Sequence, residues 1–315
     1  METIKNLCQD SANLRLFLVF NIFACLLLQA YLLPAYLLPA ETDIATRECV
    51  FETSFSALAL KPLVNNTNFS ADSSDESTIY NILPTYQFGF DLGITAYICP
   101  LDAKIRLNWE RIHTSNKSLI NPDSPENFTT LRFNFDEINL IYGQQLMYDN
   151  HLQGSLYYGI SAAHIKALNN PTYSNITEAD SLIASMSSFN GAGIQAGFDF
   201  SYDITSHFQL TGEGALSLLA GHLNYCALTP HLTDDDQDDT TTQATILNNY
   251  KTQFVPALRQ NIGLAYFLPY GQSNHFKLEV GYQAQVYFNA LQSPVAITTS
   301  DFALIGPYVS INLGF

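Results

Sequence analysis

Residues 86 to 98, YQFGFDLGITAYI, divide by parity into Tyr86, Phe88, Phe90, Leu92, Ile94, Ala96 and Ile98 against Gln87, Gly89, Asp91, Gly93, Thr95 and Tyr97. A repeat of two is that of a β-strand with one apolar and one polar face. Segments of the same kind recur to the last residue: 49–61, 86–98, 103–111, 131–143, 152–165, 189–203, 207–222, 253–267, 275–288 and 301–315. The pattern predicts ten strands, longer than the five or six residues usual in soluble sheets. Within 131–143 the alternation changes phase near Asp136 and Glu137, which predicts a β-bulge. In the last segment Pro307 removes a ladder donor, which predicts a kink or bulge there.

The connections alternate in length. Long polar stretches fall at 62–78, 114–130, 166–188, 223–252 and 289–300, and short turns separate them. This alternation is that of a transmembrane barrel, with brief turns on the periplasmic side and long loops outside. The predicted fold is therefore all-β: a transmembrane antiparallel up-and-down barrel of about ten strands. Closing the sheet satisfies the backbone groups that hydrocarbon would otherwise strand. Phe88, Phe90, Leu92 and Ile94 are then expected to face lipid, with Gln87, Asp91 and Thr95 facing the lumen. Trp109 and Tyr86 fit a membrane interface. Phe315, Leu313, Ile311 and Val309 form an apolar row ending in an aromatic residue, which resembles the terminal-strand signal read by bacterial barrel insertion machinery.

Composition supports the pattern. Of 315 residues only 13% are charged while 13% are aromatic, about half the charge of a soluble domain. A helical membrane protein would carry several apolar runs of about 20 residues; here one such run, Leu16 to Ala40, follows Arg15. It reads as a secretory signal, with residues 1–40 removed and 41–315 forming the barrel. A retained anchor is the alternative. The first forty residues hold Glu2 and Asp10 against Lys5 and Arg15, so the exported part keeps the net charge of −16. It has no basic patch suited to nucleic acid.

A family resemblance rests on four stretches: FNFDEINLIYGQQL, FNGAGIQAGFDFSYDITSHFQLTGEGALSLLAGH, FKLEVGYQAQVYFNA and DFALIGPYVSINLGF. Over roughly residues 47 to 315 the chain resembles the major outer membrane proteins of Legionella-type bacteria. The resemblance implies a pore-forming outer-membrane barrel or a surface antigen.

With the strands so oriented, the lumen is expected to receive Asp91, Lys104, Arg106, Glu110, Arg132, Asp199, Glu213, Arg259, Lys277 and Glu279. Their signs are nearly balanced, so they suit either a paired network that fills a narrow barrel or the lining of an ion-selective channel. The resemblance favours the channel, and passive diffusion of small ions or solutes is the expected function. The alternative is a closed structural or adhesin barrel whose outer loops contact host molecules or lipopolysaccharide. An outer-membrane hydrolase has least support, because no acid, base and nucleophile set of recognisable spacing surrounds His113, His164 and His222.

No metal or cofactor motif is present. Acidic excess gathers in the expected fourth loop at Asp234, Asp235, Asp236, Asp238 and Asp239, either a solvated run or a cation-attracting entrance. Cys49 and Cys99 fall at the periplasmic ends of the first hairpin, where a disulfide fits the oxidising compartment. Cys226 has no evident partner and is a candidate crosslink in a homo-oligomer. Outer-membrane lipid and lipopolysaccharide are the remaining expected partners.

Overall fold

The computed structural model describes residues 51–64, 68–73, 76–81, 85–98, 102–121, 124–147, 151–172, 184–233, 241–269, 275–292 and 299–315. The expected signal segment, Cys49, Cys99 and the acidic run at 234–239 lie outside the described residues. Twelve strands form among the described residues: β1 (Phe51–Val64), β2 (Asn68–Ser73), β3 (Glu76–Asn81), β4 (Gln87–Ile98), β5 (Ala103–Asn121), β6 (Ser124–Met147), β7 (Leu152–Thr172), β8 (Ala184–Asp203), β9 (Phe208–Thr233), β10 (Thr241–Pro269), β11 (His275–Gln292) and β12 (Thr299–Gly314). β2 and β3 make a separate two-stranded sheet, and the other ten close into a barrel, β1-β4-β5-β6-β7-β8-β9-β10-β11-β12 and back to β1. All neighbours are antiparallel. Phe51 and Phe315 exchange backbone hydrogen bonds of 3.1 and 2.8 Å at the seam.

The ten barrel strands coincide with the ten alternating segments, but on the long-connection side β5 to β10 run well beyond them. β9 and β10 pair from Tyr266↔Phe208 to Thr241↔Thr233, and β5 and β6 continue to Asn121↔Ser124. Much of what the sequence marks as loop is therefore two-stranded ribbon. Backbone ladders need no side-chain alternation once the ribbon leaves apolar surroundings, so the hydropathy pattern stops before the strands do.

Neither predicted irregularity shifts the register. β6 pairs with β5 and β7 without a break through Asp136 and Glu137. At Pro307 the β1–β12 register is the same on both sides, and only the pairs between Leu58↔Tyr308 and Lys61↔Ile305 are missing. The register shifts instead near the tip of the β5–β6 ribbon, between Leu119 and Asn121, and in β11 between Tyr287 and Leu291, where Asn289 adopts a φ of 59°, a left-handed conformation that asparagine tolerates.

Phe88, Leu92 and Ile94 are exposed on the outer face, as are Ile160, Ile194 and Leu218. Along β9 the outward residues run Phe208, Leu210, Gly212, Gly214, Leu216, Leu218 and Ala220, and then change to His222 and Asn224. Ten steps from Leu210 to Ala220, at about 3.3 Å each and a tilt of about 40°, make a band about 25 Å high, the height of a hydrocarbon layer. Trp109 stands at its upper edge, edge-on to Phe90 at 5.2 Å with the Arg111 guanidinium 5.9 Å from its ring centre.

Inside, chemistry divides by height. Toward the short turns the inward residues are polar, while toward the long connections Leu58, Leu60, Phe133, Phe135, Ile165, Phe189, Leu219, Tyr287, Phe302 and Leu304 form one buried apolar cluster. Glycine makes room for the largest inward rings. A Cβ at Gly197 would stand 2.5 Å from Tyr157 Cζ and 2.4 Å from the Gly214 carbonyl oxygen, and one at Gly281 would stand 2.6 Å from Tyr308 Cζ.

Candidate functional site

The site is the lumen. Alternation of pleat sends Asp91, Lys104, Arg106, Glu110, Asp199, Glu213, Arg259, Lys277 and Glu279 inward, as the sequence predicts. Arg132 is the correction. It shares its parity with Ile138 and Leu140, which are exposed on the outer face, so it points away from the lumen. The cause is the absent bulge: unbroken pairing puts Phe133 and Phe135 inside together with Glu137 and Asn139. Glu137 thereby joins the lumen, which sequence reasoning missed because it kept apolar residues outside along the whole strand. Its shared parity with Asn139 and Gly143 was the signal that could have found it.

Near the short turns the charges pair across small distances. Lys104 Nζ donates to Asp199 Oδ2 at 2.6 Å, and Ser155 Oγ donates to Asp199 Oδ1 at 2.8 Å. Lys277 meets Glu279 at 2.8 Å, and the Tyr308 hydroxyl donates to Glu279 Oε1 at 2.5 Å. The Tyr97 hydroxyl donates to Glu52 Oε2 at 2.9 Å. Arg106 pairs with Glu213, which also accepts from the Tyr157 hydroxyl at 2.8 Å and from Asn261 Nδ2 at 3.4 Å.

Above these lies a layer that crosses the barrel. In a ring of ten, β5 and β10 stand five strands apart and so face each other. Arg259 of β10 reaches Glu110 of β5 with Nη2 at 3.0 Å and also pairs with Glu137 of β6. Glu110 further accepts from Gln283 Nε2 at 3.0 and 3.1 Å and from Gln285 Nε2 at 2.8 Å, both on β11. Glu137 accepts from Ser161 Oγ at 3.0 Å. The side chains of Arg259, Glu110 and Glu137 are 8%, 1% and 4% exposed. Asp91, opposite Glu110 in the β4–β5 register, has a buried oxygen with no hydrogen-bond partner. Three carboxylates thus share the surroundings of one guanidinium.

The next layer is aromatic and also spans the lumen. Phe135 of β6 meets Tyr287 of β11, again five strands away, with ring centres 5.5 Å apart. Phe302 of β12 completes the group at 5.9 Å from Phe133 and 6.0 Å from Phe135. Beyond the β11 bulge, Ala290, Leu291 and Gln292 are buried. The Gln292 backbone amide donates to Ser187 Oγ at 2.8 Å, although β8 is not a neighbour of β11 in the sheet. The outer end of β11 therefore leans across the mouth.

The rim histidines stand on the opposite face of the wall. His113 Nδ1 is 2.9 Å from Asn134 Oδ1, His164 pairs with Asn190, and His222 Nδ1 is 3.2 Å from Thr252 Oγ1, all with outward parity above the apolar band. Cys226 is a free thiol with outward parity on β9, two rungs beyond His222.

A family model, the Legionella pneumophila major outer membrane protein precursor, matches residues 44–315. No curated protein matches the chain. Solved structures that it resembles include the outer membrane protease OmpT of Escherichia coli, at 12% identity and TM-score 0.45, covering 87% of this chain and all of that one. A major outer membrane protein of Thermus thermophilus aligns at 10% identity and TM-score 0.36 over 85% of this chain and all of that one. The toluene transporter TodX of Pseudomonas putida aligns at 9% identity and TM-score 0.33 over 85% and 90%. The outward apolar band and the match over the whole barrel lead to one identification: the chain belongs to the Legionella major outer membrane protein family and is a ten-stranded β-barrel of the bacterial outer membrane.

Proposed function

We propose that this barrel is sealed, and that it serves as a structural and contact protein of the bacterial surface, holding its ribbons outward from a closed membrane anchor. The observation that carries this reading is the bond from Arg259 on one wall to Glu110 on the wall opposite, 3.0 Å long and almost fully buried. A solute moving along the lumen would have to break that pair, and then part Phe135 from Tyr287 above it. The passive diffusion that the sequence favours needs an unobstructed path, and both layers count against it. Catalysis has no part in this reading, since the rim histidines have amide and hydroxyl neighbours on the outer wall.

The test is electrical. The chain without the signal segment that the sequence predicts, residues 41–315, is folded into planar bilayers, its folded state is checked by heat-modifiable gel mobility, and single-channel current is recorded. The expected result is silence from folded protein. Stable current steps of uniform size would overturn the sealed reading and restore the diffusion pore.

A further inference from the structure

The chain carries a net charge of −16, yet cations gather on one part of its outer wall. Arg111, Arg132 and Lys166 lie on β5, β6 and β7, three consecutive strands, all with outward parity and all above the apolar band. In the register, Lys166 stands beside Asn134, and Arg132 stands beside Leu168. Arg132 and Lys166 are therefore diagonal neighbours, a spacing of about 7–8 Å. Neither has an ion-pair partner among the described residues. Arg111 does, 3.5 Å from Asp136, and its Nε donates to His113 at 2.6 Å. Among the described residues Asp136 is the acid of this patch, and it is matched by Arg111.

Height gives the patch its meaning. Trp109, Ile138 and Ala162 are in register across the same three strands and belong to the apolar band; the next rung up is Arg111, Asp136 and His164. Lys166 stands one rung above that and Arg132 two, and side chains over these rungs point sideways from the barrel, toward the layer of lipid headgroups. Two cations with no ion-pair partner among the described residues cost solvation there unless the layer supplies anions. In the outer leaflet of an outer membrane those anions are the phosphates of the glycolipid.

We infer that Arg132 and Lys166, with Arg111 and His113 beside them, form a docking site for the phosphorylated headgroup of the outer-leaflet glycolipid. The acyl chains of the bound lipid lie against Ile138, Leu140 and Ile160 below, which are exposed on the same wall. Charge complementarity chooses a phosphorylated lipid over a neutral one, and continuity with the apolar band chooses a lipid over a free anion.

The experiment is native mass spectrometry of the folded chain in detergent, titrated separately with bisphosphorylated lipid A, dephosphorylated lipid A and phosphatidylglycerol. Parallel samples of the lipid A titration contain excess inorganic phosphate. Arg132→Glu/Lys166→Glu is the test variant and Lys61→Glu, on the far strand β1, is the control. Both alter outward side chains only, and heat-modifiable mobility reports that each has folded. Wild type and control are expected to retain bisphosphorylated lipid A in preference to the other two lipids, with inorganic phosphate failing to displace it. Binding by the double variant is expected to fall at least about tenfold, given the contribution of each cation at an anionic surface. Equal binding by the double variant, equal binding of dephosphorylated lipid A or phosphatidylglycerol, or displacement by inorganic phosphate would each overturn the inference.

Discussion

Replacing Arg259 with methionine should fall unequally on its two carboxylate partners. Without the guanidinium, Glu110 keeps the amides of Gln283 and Gln285, at 2.8 to 3.1 Å, whereas among the described residues Glu137 keeps only Ser161 Oγ at 3.0 Å. All three side chains are nearly inaccessible, so the relevant scale is that of a broken buried pair, about 3–5 kcal/mol, rather than a surface pair worth under about 1 kcal/mol. Adding Glu137→Gln to Arg259→Met should recover more than half of the loss, because it removes the carboxylate left with one donor. Adding Glu110→Gln should recover less, because two amides already hold that carboxylate. Equilibrium urea unfolding of the barrel in lipid vesicles measures all four proteins. A loss below about 1 kcal/mol for Arg259→Met, or a larger rescue by Glu110→Gln than by Glu137→Gln, would refute the idea that one arginine ties together two unequally supported acids.

Three further outcomes follow from the same geometry. Leu218→Arg places a cation in the middle of the outward apolar band and should cost about 2–4 kcal/mol in vesicle unfolding, while His222→Arg, two rungs nearer the surface, should cost under about 1 kcal/mol; equal costs would mean that the band is misplaced. Gly197→Val should destabilise by about 1–3 kcal/mol, and Tyr157→Leu in the same chain should not rescue it, because the added Cβ also meets the Gly214 carbonyl oxygen at 2.4 Å; unfolding of single and double variants decides. Arg259→Ala alone should leave planar bilayers silent, with the aromatic layer still in place, whereas Arg259→Ala combined with Phe135→Ala and Phe302→Ala should admit current; conduction by the single variant would show that the aromatic layer does not seal.

The positions of the ten strands were legible because outward lipid imposes the same demand on every one of them. From Ile94 on β4 to Ile262 on β10, the outward positions in the band are apolar or small with the exception of Gln260, and that sets the period. The lumen was less legible because it makes no uniform demand. In its lower half inward residues are charged and the alternation is sharp, so Lys104, Arg106 and Glu213 could be placed from parity. In its upper half Phe133 and Phe135 face inward, and the outward positions next to them are Arg132, Asn134 and Asp136. There the polar and apolar faces exchange sides without any break in the strand. A reading that held apolar residues outside had to insert a bulge at Asp136 and Glu137, which turned Arg132 inward and left Glu137 unassigned.

That exchange of faces has one physical cause at both surfaces of the wall. Above the hydrocarbon the outer face meets headgroups and water, so Arg111, Asp136 and His164 stand one rung above Trp109, Ile138 and Ala162. A narrow interior at the same height must be filled, and nothing there requires charge, so rings from opposite strands fill it. Lower down the outer face is claimed by lipid, and the strands carry their polar residues on the side that remains. Polar residues confined in a narrow lumen must find partners within it, and a partner on the far wall is as near as one on the next strand. The bond from Arg259 to Glu110 is the consequence of that confinement. The wall that turns Arg132 and Lys166 outward therefore carries on its inner side two layers that reach across the lumen, one of charge and the next of aromatic rings.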